Sequence, residues 1–187
     1  MVVMRKEEVL EKINRKLSEI KTSLNKISYI ESILKEENFD LEIKRFLLKE
    51  LSDLYFDRKM FEKSARSISK RATIEISNKE RIESYLSAGE IYSRAGKIED
   101  AEEMFVRAMR DSDVNQKERI KLTRKNIYLV LAKDLEGKGK KASATKFYEK
   151  LIKLNLEEIE KKEIKERLIE IYKSLGLFRE ARLVEGL

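Results

Sequence analysis

A chain of 187 residues with no proline and only six glycines has few residues that end helices, which favours long uninterrupted helices. Apolar and charged residues each make up 41% of the chain, a balance typical of helices with one buried stripe and one salt-rich exposed face. Cysteine and histidine are both absent from the sequence, which excludes disulfides, thiolate chemistry and the commonest general base.

The hydropathy and the charge bear on where the protein works. No run approaches the ~18 apolar residues that a membrane span needs, and the first ten residues lack the apolar core of a signal peptide. We therefore expect a cytoplasmic protein without a membrane partner. Its many Lys, Glu and Ile residues resemble a thermophile composition. The net charge of +7 permits an anionic partner without requiring one.

An apolar stripe runs through residues 1–37 with spacings that alternate between three and four residues, as in a heptad repeat. Two interpretations are open. In one, the stripe is an arm through which the protein forms a homo-oligomer. In the other, a weak turn at Thr22 to Asn25 makes a hairpin that caps the following helices. Asn38 and Asp40 mark a break, so we predict an N-terminal segment 1–40 and a domain 41–187. The stripe consists of Leu10, Ile13, Leu17, Ile20, Leu24 and Ile27.

Three residue pairs further along have the spacing of a capping box, in which a side chain and a backbone amide at a helix start bond reciprocally. Successive pairs lie 38 and 40 residues apart, which indicates a repeating unit of about that length. The pairs are Ser77 with Glu80, Asn115 with Glu118, and Asn155 with Glu158.

The strongest copy of this unit runs from Tyr85 to Met109, with a turn at Gly96. One face of its first predicted helix carries Tyr85, Ala88, Gly89 and Tyr92, and one face of its second carries Ala101, Phe105 and Ala108. The small residues Gly89 and Ala101 allow the two helices to approach closely. This stretch resembles the tetratricopeptide repeat, whose pattern is W-x2-L-G-x2-Y followed by A-x3-F. Tyr85 replaces the Trp and Ala88 the Leu, and the other four positions match.

Three weaker copies keep the same order of residues, and successive copies lie 37, 43 and 37 residues apart, against about 34 in the family. The additional residues precede the first helix of each copy, so we expect these first helices to be longer than is usual in the family. The first copy has Lys59 where the turn glycine is expected and Ser64 in place of Ala. The resemblance implies an all-α, right-handed solenoid of about four TPR-like helical hairpins behind an N-terminal helical cap or arm. The other copies are centred on Ser52 and Ser64, Ala132 and Ala144, and Ile169 and Ala181.

The resemblance also implies a function, because the first helices of such hairpins line a groove that binds a partner protein. We therefore expect a non-enzymatic scaffold or adaptor. Family members that bind chaperone tails carry a Lys followed four residues later by Asn. Here an acid follows Lys49 and Leu86 at that distance, which argues against capture of a C-terminal carboxylate. The expected groove residues are Lys49, Asp53, Phe56, Leu86, Glu90, Arg94, Asn126, Leu129, Lys133 and Glu170.

Positive charge is concentrated between Arg119 and Lys153, a segment that contains eleven Lys or Arg residues and only three Asp or Glu residues. This segregation suits a surface that contacts phosphates, so the alternative function is an RNA- or ribosome-associated factor. A Lys-rich surface that merely varies along the chain remains open as the second interpretation. The candidate anion-binding residues are Lys121, Arg124, Lys125, Lys138, Lys140, Lys141 and Lys146.

Catalysis has little support in the sequence. Acid clusters such as Glu157, Glu158 and Glu160 are interleaved with apolar residues at helical spacing, which is typical of a solvated helix face. The segment Glu136 to Lys141 contains glycines and lysines but lacks the spacing, the final Ser or Thr and the preceding strand of a phosphate-binding P-loop. We expect no catalytic residues, no metal site and no cofactor.

Overall fold

The computed structural model describes residues 6–36, 38–110 and 112–186, and all regular secondary structure within these ranges is helical. The predicted all-α class is therefore confirmed. The helices are α1 (Lys6–Glu19), α2 (Ser23–Glu36), α3 (Leu41–Asp57), α4 (Phe61–Thr73), α5 (Asn78–Arg94), α6 (Ile98–Arg110), α7 (Val114–Gly137), α8 (Lys141–Leu151), α9 (Glu158–Ser174) and α10 (Phe178–Glu185).

The chain divides into two compact units, the first ending at Ser112 and the second beginning at Asp113. In the first unit α2 packs on α3, and each helix from α3 to α5 packs on the next. In the second unit α7, α8, α9 and α10 pack in the same sequential manner. Packing between neighbours in sequence is thus the rule in both units.

The N-terminal helices pack on α3 within the first unit. Helix α1 ends at Glu19 and α2 begins at Ser23, and Thr22 Oγ1 accepts a hydrogen bond of 3.2 Å from the Asn25 amide. A break between the two helices is present, but it lies at residues 20–22, and Ser23 to Asn25 of the predicted turn form the start of α2. Leu24 of the apolar stripe is 52% exposed, whereas half of the stripe is buried. Self-association through residues 1–37 stays a prediction. One cluster contains Ile13, Leu17, Ile27, Ile30 and Ile33 together with Ile43, Leu47, Leu51 and Tyr55 of α3.

Two helix starts follow the sequence prediction. Asp40 is the N-cap of α3, and its carboxylate accepts hydrogen bonds of 3.0 Å from the amides of Glu42 and Ile43. Ser77 caps α5 by accepting a 3.2 Å bond from the amide of Glu80. The Ser77 hydroxyl also donates to the Glu80 carboxylate at 2.9 Å, so the pair bonds through its side chains in place of the reciprocal backbone bond.

The other two predicted capping boxes are wrong. At α7 the box is formed two residues earlier, by Asp113 and Gln116, which bond each other's backbone amides at 2.8 and 3.0 Å. Helix α7 therefore begins before Asn115, which lies inside it as the second residue. At α9 the N-cap residue is Glu157, whose side chain makes no capping hydrogen bond, and Asn155 lies outside the helix. Spacing alone did not distinguish these candidates from their neighbours.

Four hairpins share one type of turn. Gly96, Gly139 and Gly176 have φ angles of 73°, 71° and 75°, and Lys59 takes the equivalent place with φ of 58°. In each turn the next residue's amide bonds a carbonyl five residues back, as Met60 does to Tyr55 at 2.8 Å. The turn predicted at Gly96 is confirmed, and Gly139 and Gly176 form equivalent turns. Helix α7 has 24 residues against 17 in α3, α5 and α9, which accounts for the longer spacing that precedes the third copy.

A buried ion cluster ties α3 and α4 to the segment before α5. The Glu75 side chain is 1% exposed, and its carboxylate lies 2.7 Å from Arg71 Nε and 3.6 Å from Arg45 Nε. Arg45 also donates a 3.3 Å hydrogen bond to the carbonyl of Ile74. Two cations thus offset one buried carboxylate in the turn between α4 and α5.

Candidate functional site

A pocket of about 420 Å³ lies between α3, α4 and α5 within the first compact unit, and we call it the α3–α5 pocket. Its lining residues on α3 and α5 recur at spacings of three and four, which places each set on one helix face. The lining consists of Lys49, Ser52, Asp53 and Phe56 of α3, Ser64, Ile68 and Arg71 of α4, and Glu80, Glu83, Ser84, Ser87, Glu90 and Ile91 of α5.

Two buried isoleucines and two hydrogen-bonded serines form part of the inner surface of this pocket. Ile68 and Ile91 are buried, and the hydroxyls of Ser52 and Ser64 donate to each other's backbone carbonyls at 3.1 and 2.8 Å. Phe56 remains 37% exposed, with its ring centroid 5.3 Å from that of Phe61. An aromatic face is thus available to a ligand in this pocket.

The rim of the α3–α5 pocket carries an excess of acidic groups. Lys49 donates to Asp53 at 2.8 Å, so these two charges offset each other. The Glu90 carboxylate is paired with Arg94, also at 2.8 Å. Among the described residues, the Glu80 carboxylate accepts a hydrogen bond from the neutral Ser77 hydroxyl alone, and the exposed Glu83 has no partner. The rim therefore retains unneutralised negative charge.

Four of the predicted groove residues meet in this pocket: Lys49, Asp53, Phe56 and Glu90. Arg94 is close to it through its pair with Glu90. Leu86 is 9% exposed and does not line the pocket, because an apolar residue at that position packs into the core of the unit.

Sequence reasoning missed Glu80, Glu83 and Ser87, which share a face of α5 with Glu90. The signal was present as polar residues at spacings of three and four from Glu90. It was passed over because the family analogy pointed to Leu86, the immediate neighbour of Ser87. The contributions of Ile68 and Arg71 had no such signal, since α4 is a second helix of its hairpin.

The remaining predicted groove residues belong to the second unit. Lys133 lines a separate shallow pocket that also contains Glu136 and Arg167. Glu170 accepts a 2.6 Å hydrogen bond from that same Arg167. Asn126 is exposed, Leu129 is half-buried, and neither lines that pocket.

Most of the predicted anion-binding residues are engaged by their own neighbours. Only Lys140 and Lys146 are exposed and without a partner among the described residues. Arg124 is half-buried and has a contact of its own. The other contacts are Lys121 to Glu118 at 2.6 Å, Lys125 to Glu160 at 2.7 Å, Lys138 to Asp134 at 2.6 Å and Lys141 to the Ser174 hydroxyl at 3.1 Å.

Within the described ranges no cluster of three or more acidic side chains is arranged to hold a metal ion. In the same part of the chain no helix combines the length and the apolar character that crossing a membrane requires. No protein-family model matches the chain, and no curated protein matches it. The α3–α5 pocket therefore has to be interpreted from its own chemistry.

Proposed function

We propose that this protein is a non-enzymatic, TPR-like scaffold that binds a segment of another protein in the α3–α5 pocket. The observation that carries the proposal is Phe56, an exposed aromatic ring at a pocket with buried apolar residues and charged walls. Aromatic residues in desolvated pockets contribute most of the energy at protein interfaces. The repeated hairpin turn and the packing of sequential helices support a right-handed solenoid of TPR-like hairpins as the architecture.

The size of the pocket suits one or two side chains of a partner. Its volume of about 420 Å³ falls within the ~300–1,000 Å³ that is common for ligand pockets. Because the hydroxyls of Ser52 and Ser64 already donate hydrogen bonds to backbone carbonyls, a ligand does not have to supply an acceptor for them. An aliphatic or aromatic side chain can therefore lie against Phe56 without leaving either of these hydroxyls unpaired.

The rim determines the charge of the partner. Glu80 and Glu83 lie on the α5 wall without an ion pair in the described part of the chain, whereas the basic lining residues Lys49 and Arg71 are paired with Asp53 and Glu75. A Lys or Arg in the partner would compensate this charge, and a carboxylate there would be repelled. The partner segment we propose combines an apolar side chain with a basic one.

Selection from a random peptide library on the immobilised protein tests the proposal, followed by fluorescence anisotropy of the selected peptides. We expect an aromatic or large aliphatic residue together with Lys or Arg in the enriched peptides. Phe56→Ala should weaken their binding at least tenfold, and Glu83→Lys by a similar factor. Matched controls are Phe178→Ala and Glu163→Lys, which change exposed residues in the second unit. If each control variant lost as much peptide affinity as its pocket counterpart, or if acidic peptides were enriched, the α3–α5 pocket would not be the site.

A second candidate function is contact with RNA through residues 119–153. It is favoured by the uneven charge, since residues 113–187 contain 19 Lys and Arg against 13 Asp and Glu, and by the unpaired Lys140 and Lys146. Binding of a single-stranded RNA oligonucleotide should then fall steeply with salt and weaken in Lys140→Gln/Lys146→Gln. RNA binding that changes neither with salt concentration nor in the Lys140→Gln/Lys146→Gln variant would exclude this second function.

A further inference from the structure

A second pocket in the first unit has a different chemistry. It lies between α2, α3 and α4, has a volume of about 400 Å³, and shares no lining residue with the α3–α5 pocket. We call it the α2–α4 pocket. Its apolar lining comes from Leu34, Leu48, Leu51 and Tyr55, of which Leu51 and Tyr55 are buried.

Four cations surround this apolar lining. Lys63, Arg66 and Lys70 lie at positions i, i+3 and i+7 on one face of α4, and Lys35 is contributed by α2. Arg66 is neutralised by Glu62 at 2.7 Å, and the bond from Arg66 is the main reason why the pKa of the Glu62 carboxyl lies below its usual value. The three lysines have no carboxylate partner among the described residues.

One acidic group, Glu31, also lines the α2–α4 pocket, and it is already engaged. The Tyr55 hydroxyl donates a 2.5 Å hydrogen bond to its carboxylate. Burial and this bond raise the pKa of Tyr55, so the tyrosine remains a neutral donor at physiological pH. Two of the three unpaired lysines therefore remain uncompensated even after the Glu31 charge is counted.

The position of Lys63 connects the cationic rim with the apolar lining. Its Nζ lies 5.5 Å from the centroid of the Tyr55 ring, within the range of a cation–π interaction. The hydroxyl of Ser67, the remaining polar lining group, donates to the Lys63 carbonyl at 3.1 Å. The inner surface thus offers no free donor to a bare inorganic ion, whereas the rim offers several cations.

We propose that the α2–α4 pocket binds a small amphiphilic anion, with one carboxylate, sulfonate or phosphate group on an apolar body. The body would lie against the leucines and Tyr55, and the anionic group would meet Lys63 and Lys70 at the rim. The volume is sufficient for a medium-length acyl chain or a fused aromatic ring. This site is independent of the proposed protein-binding function because it uses none of the same residues.

Two fluorescent probes that share most of their aromatic framework test the two halves of the proposal. One is 8-anilinonaphthalene-1-sulfonate, which is anionic, and the other is N-phenyl-1-naphthylamine, which is neutral. We expect the sulfonate to bind the folded protein with one-to-one stoichiometry and at least tenfold more tightly than the neutral probe. Decanoate below its micelle concentration should displace the sulfonate, and decanol should displace it much less. Near-ultraviolet circular dichroism verifies that the fold is intact.

Variants then locate the site. Lys63→Gln/Lys70→Gln should weaken binding of the sulfonate roughly tenfold and leave the neutral probe unchanged. Leu48→Gln should weaken both probes, and the matched control Lys140→Gln/Lys146→Gln should weaken neither. Three results would overturn the proposal: equal affinity for the two probes, equal loss in the control variant, or displacement by sulfate beyond that of chloride at matched ionic strength. The last result would indicate a site for bare anions.

Discussion

Gly89 in α5 lies directly against the ring of Phe105 in α6. A methyl group built on Gly89 would stand 2.7 Å from Phe105 Cε1 and 2.9 Å from Cζ, well inside contact distance. Glycine in a helix interior costs roughly 0.5–1 kcal/mol relative to alanine, so its presence requires a reason. The reason is that this helix crossing has no room for a side chain.

We predict that Gly89→Ala destabilises the protein by about 1–2 kcal/mol, despite the better helix propensity of alanine. Phe105 is fully buried, so its ring cannot move aside into solvent. Urea unfolding followed by circular dichroism measures the change. The matched control is Gly137→Ala at the end of α7, where the added methyl group would meet nothing within 4 Å and the change should be neutral or stabilising.

A second substitution separates the clash from other causes. Phe105→Leu shortens the side chain that the new methyl group would meet. The loss in Gly89→Ala/Phe105→Leu should therefore be smaller than the sum of the two single losses. Strict additivity would mean that Gly89 acts through something other than its contact with Phe105.

Lys59 is strained where its three counterparts are relaxed. It adopts φ of 58° in the turn between α3 and α4, whereas Gly96 adopts 73° in the turn between α5 and α6. A side chain in this region costs roughly 1–2 kcal/mol. We predict that Lys59→Gly stabilises the protein by about 0.5–1 kcal/mol, after the greater flexibility of glycine in the unfolded chain is subtracted.

The reverse exchange is the control for Lys59. Gly96→Lys should destabilise the protein by about 1 kcal/mol through backbone strain alone, because a methyl group there would meet nothing within 4 Å. Thermal unfolding of both variants measures the pair. Shifts of the same sign in the two variants would contradict a common turn geometry.

The features that the sequence predicted correctly are those that one helix or one contact determines. Gly89 and Ala101 signalled a close helix crossing, and the glycines signalled three of the four turns. The capping boxes at Asn115 and Asn155 were wrong because α7 begins one residue before Asn115, capped by Asp113, and α9 begins three residues after Asn155. The division into two compact units after Ser112 could not be predicted, because sequence periodicity describes single helices and not the contacts between them.

The candidate site was predictable in part for the same reason. Lys49, Asp53 and Phe56 could be placed on one face of α3 from their spacing, and the structure gathers them in the α3–α5 pocket. The wall from α4 could not be anticipated, because Arg71 and Ile68 enter the pocket only through the angle at which α4 crosses. The pairing of Lys63 with the Tyr55 ring likewise depends on tertiary packing.

Glu75 provides a test of the buried ion cluster. We predict that Glu75→Gln destabilises the protein by about 3 kcal/mol, because Arg45 and Arg71 would keep their charges without the carboxylate that offsets them. Chemical denaturation measures the loss. Glu103→Gln is the matched control, since it breaks an exposed pair with Arg107 of 2.5 Å and should have a much smaller effect. Equal effects would show that the burial of Glu75 contributes nothing.

Two tyrosine–glutamate pairs make the stability dependent on alkaline pH. Tyr55 donates to Glu31 at 2.5 Å, and Tyr172 donates to Glu149 at 2.6 Å in the second unit. Burial first, and then these bonds, raise the pKa of both phenols above the ordinary value of about 10. Above that pH the unfolded chain loses protons that the folded chain retains. Stability from these groups is therefore complete below pH ~10 and is lost as the pH rises further.

Titration of tyrosinate absorbance measures this directly. Tyr55 and Tyr172 should ionise only at a pH well above that of the same chain unfolded in urea, or only as the protein unfolds, and Tyr92 and Tyr148, whose pKa burial also raises, should add to this late fraction. Tyr55→Phe and Tyr172→Phe should each remove one of these late transitions and make the stability fall less steeply above pH ~10, because each removes one group whose proton affinity differs between the folded and unfolded states. If the wild type and both variants lose stability with the same slope, the hydrogen bonds to Glu31 and Glu149 do not hold these protons.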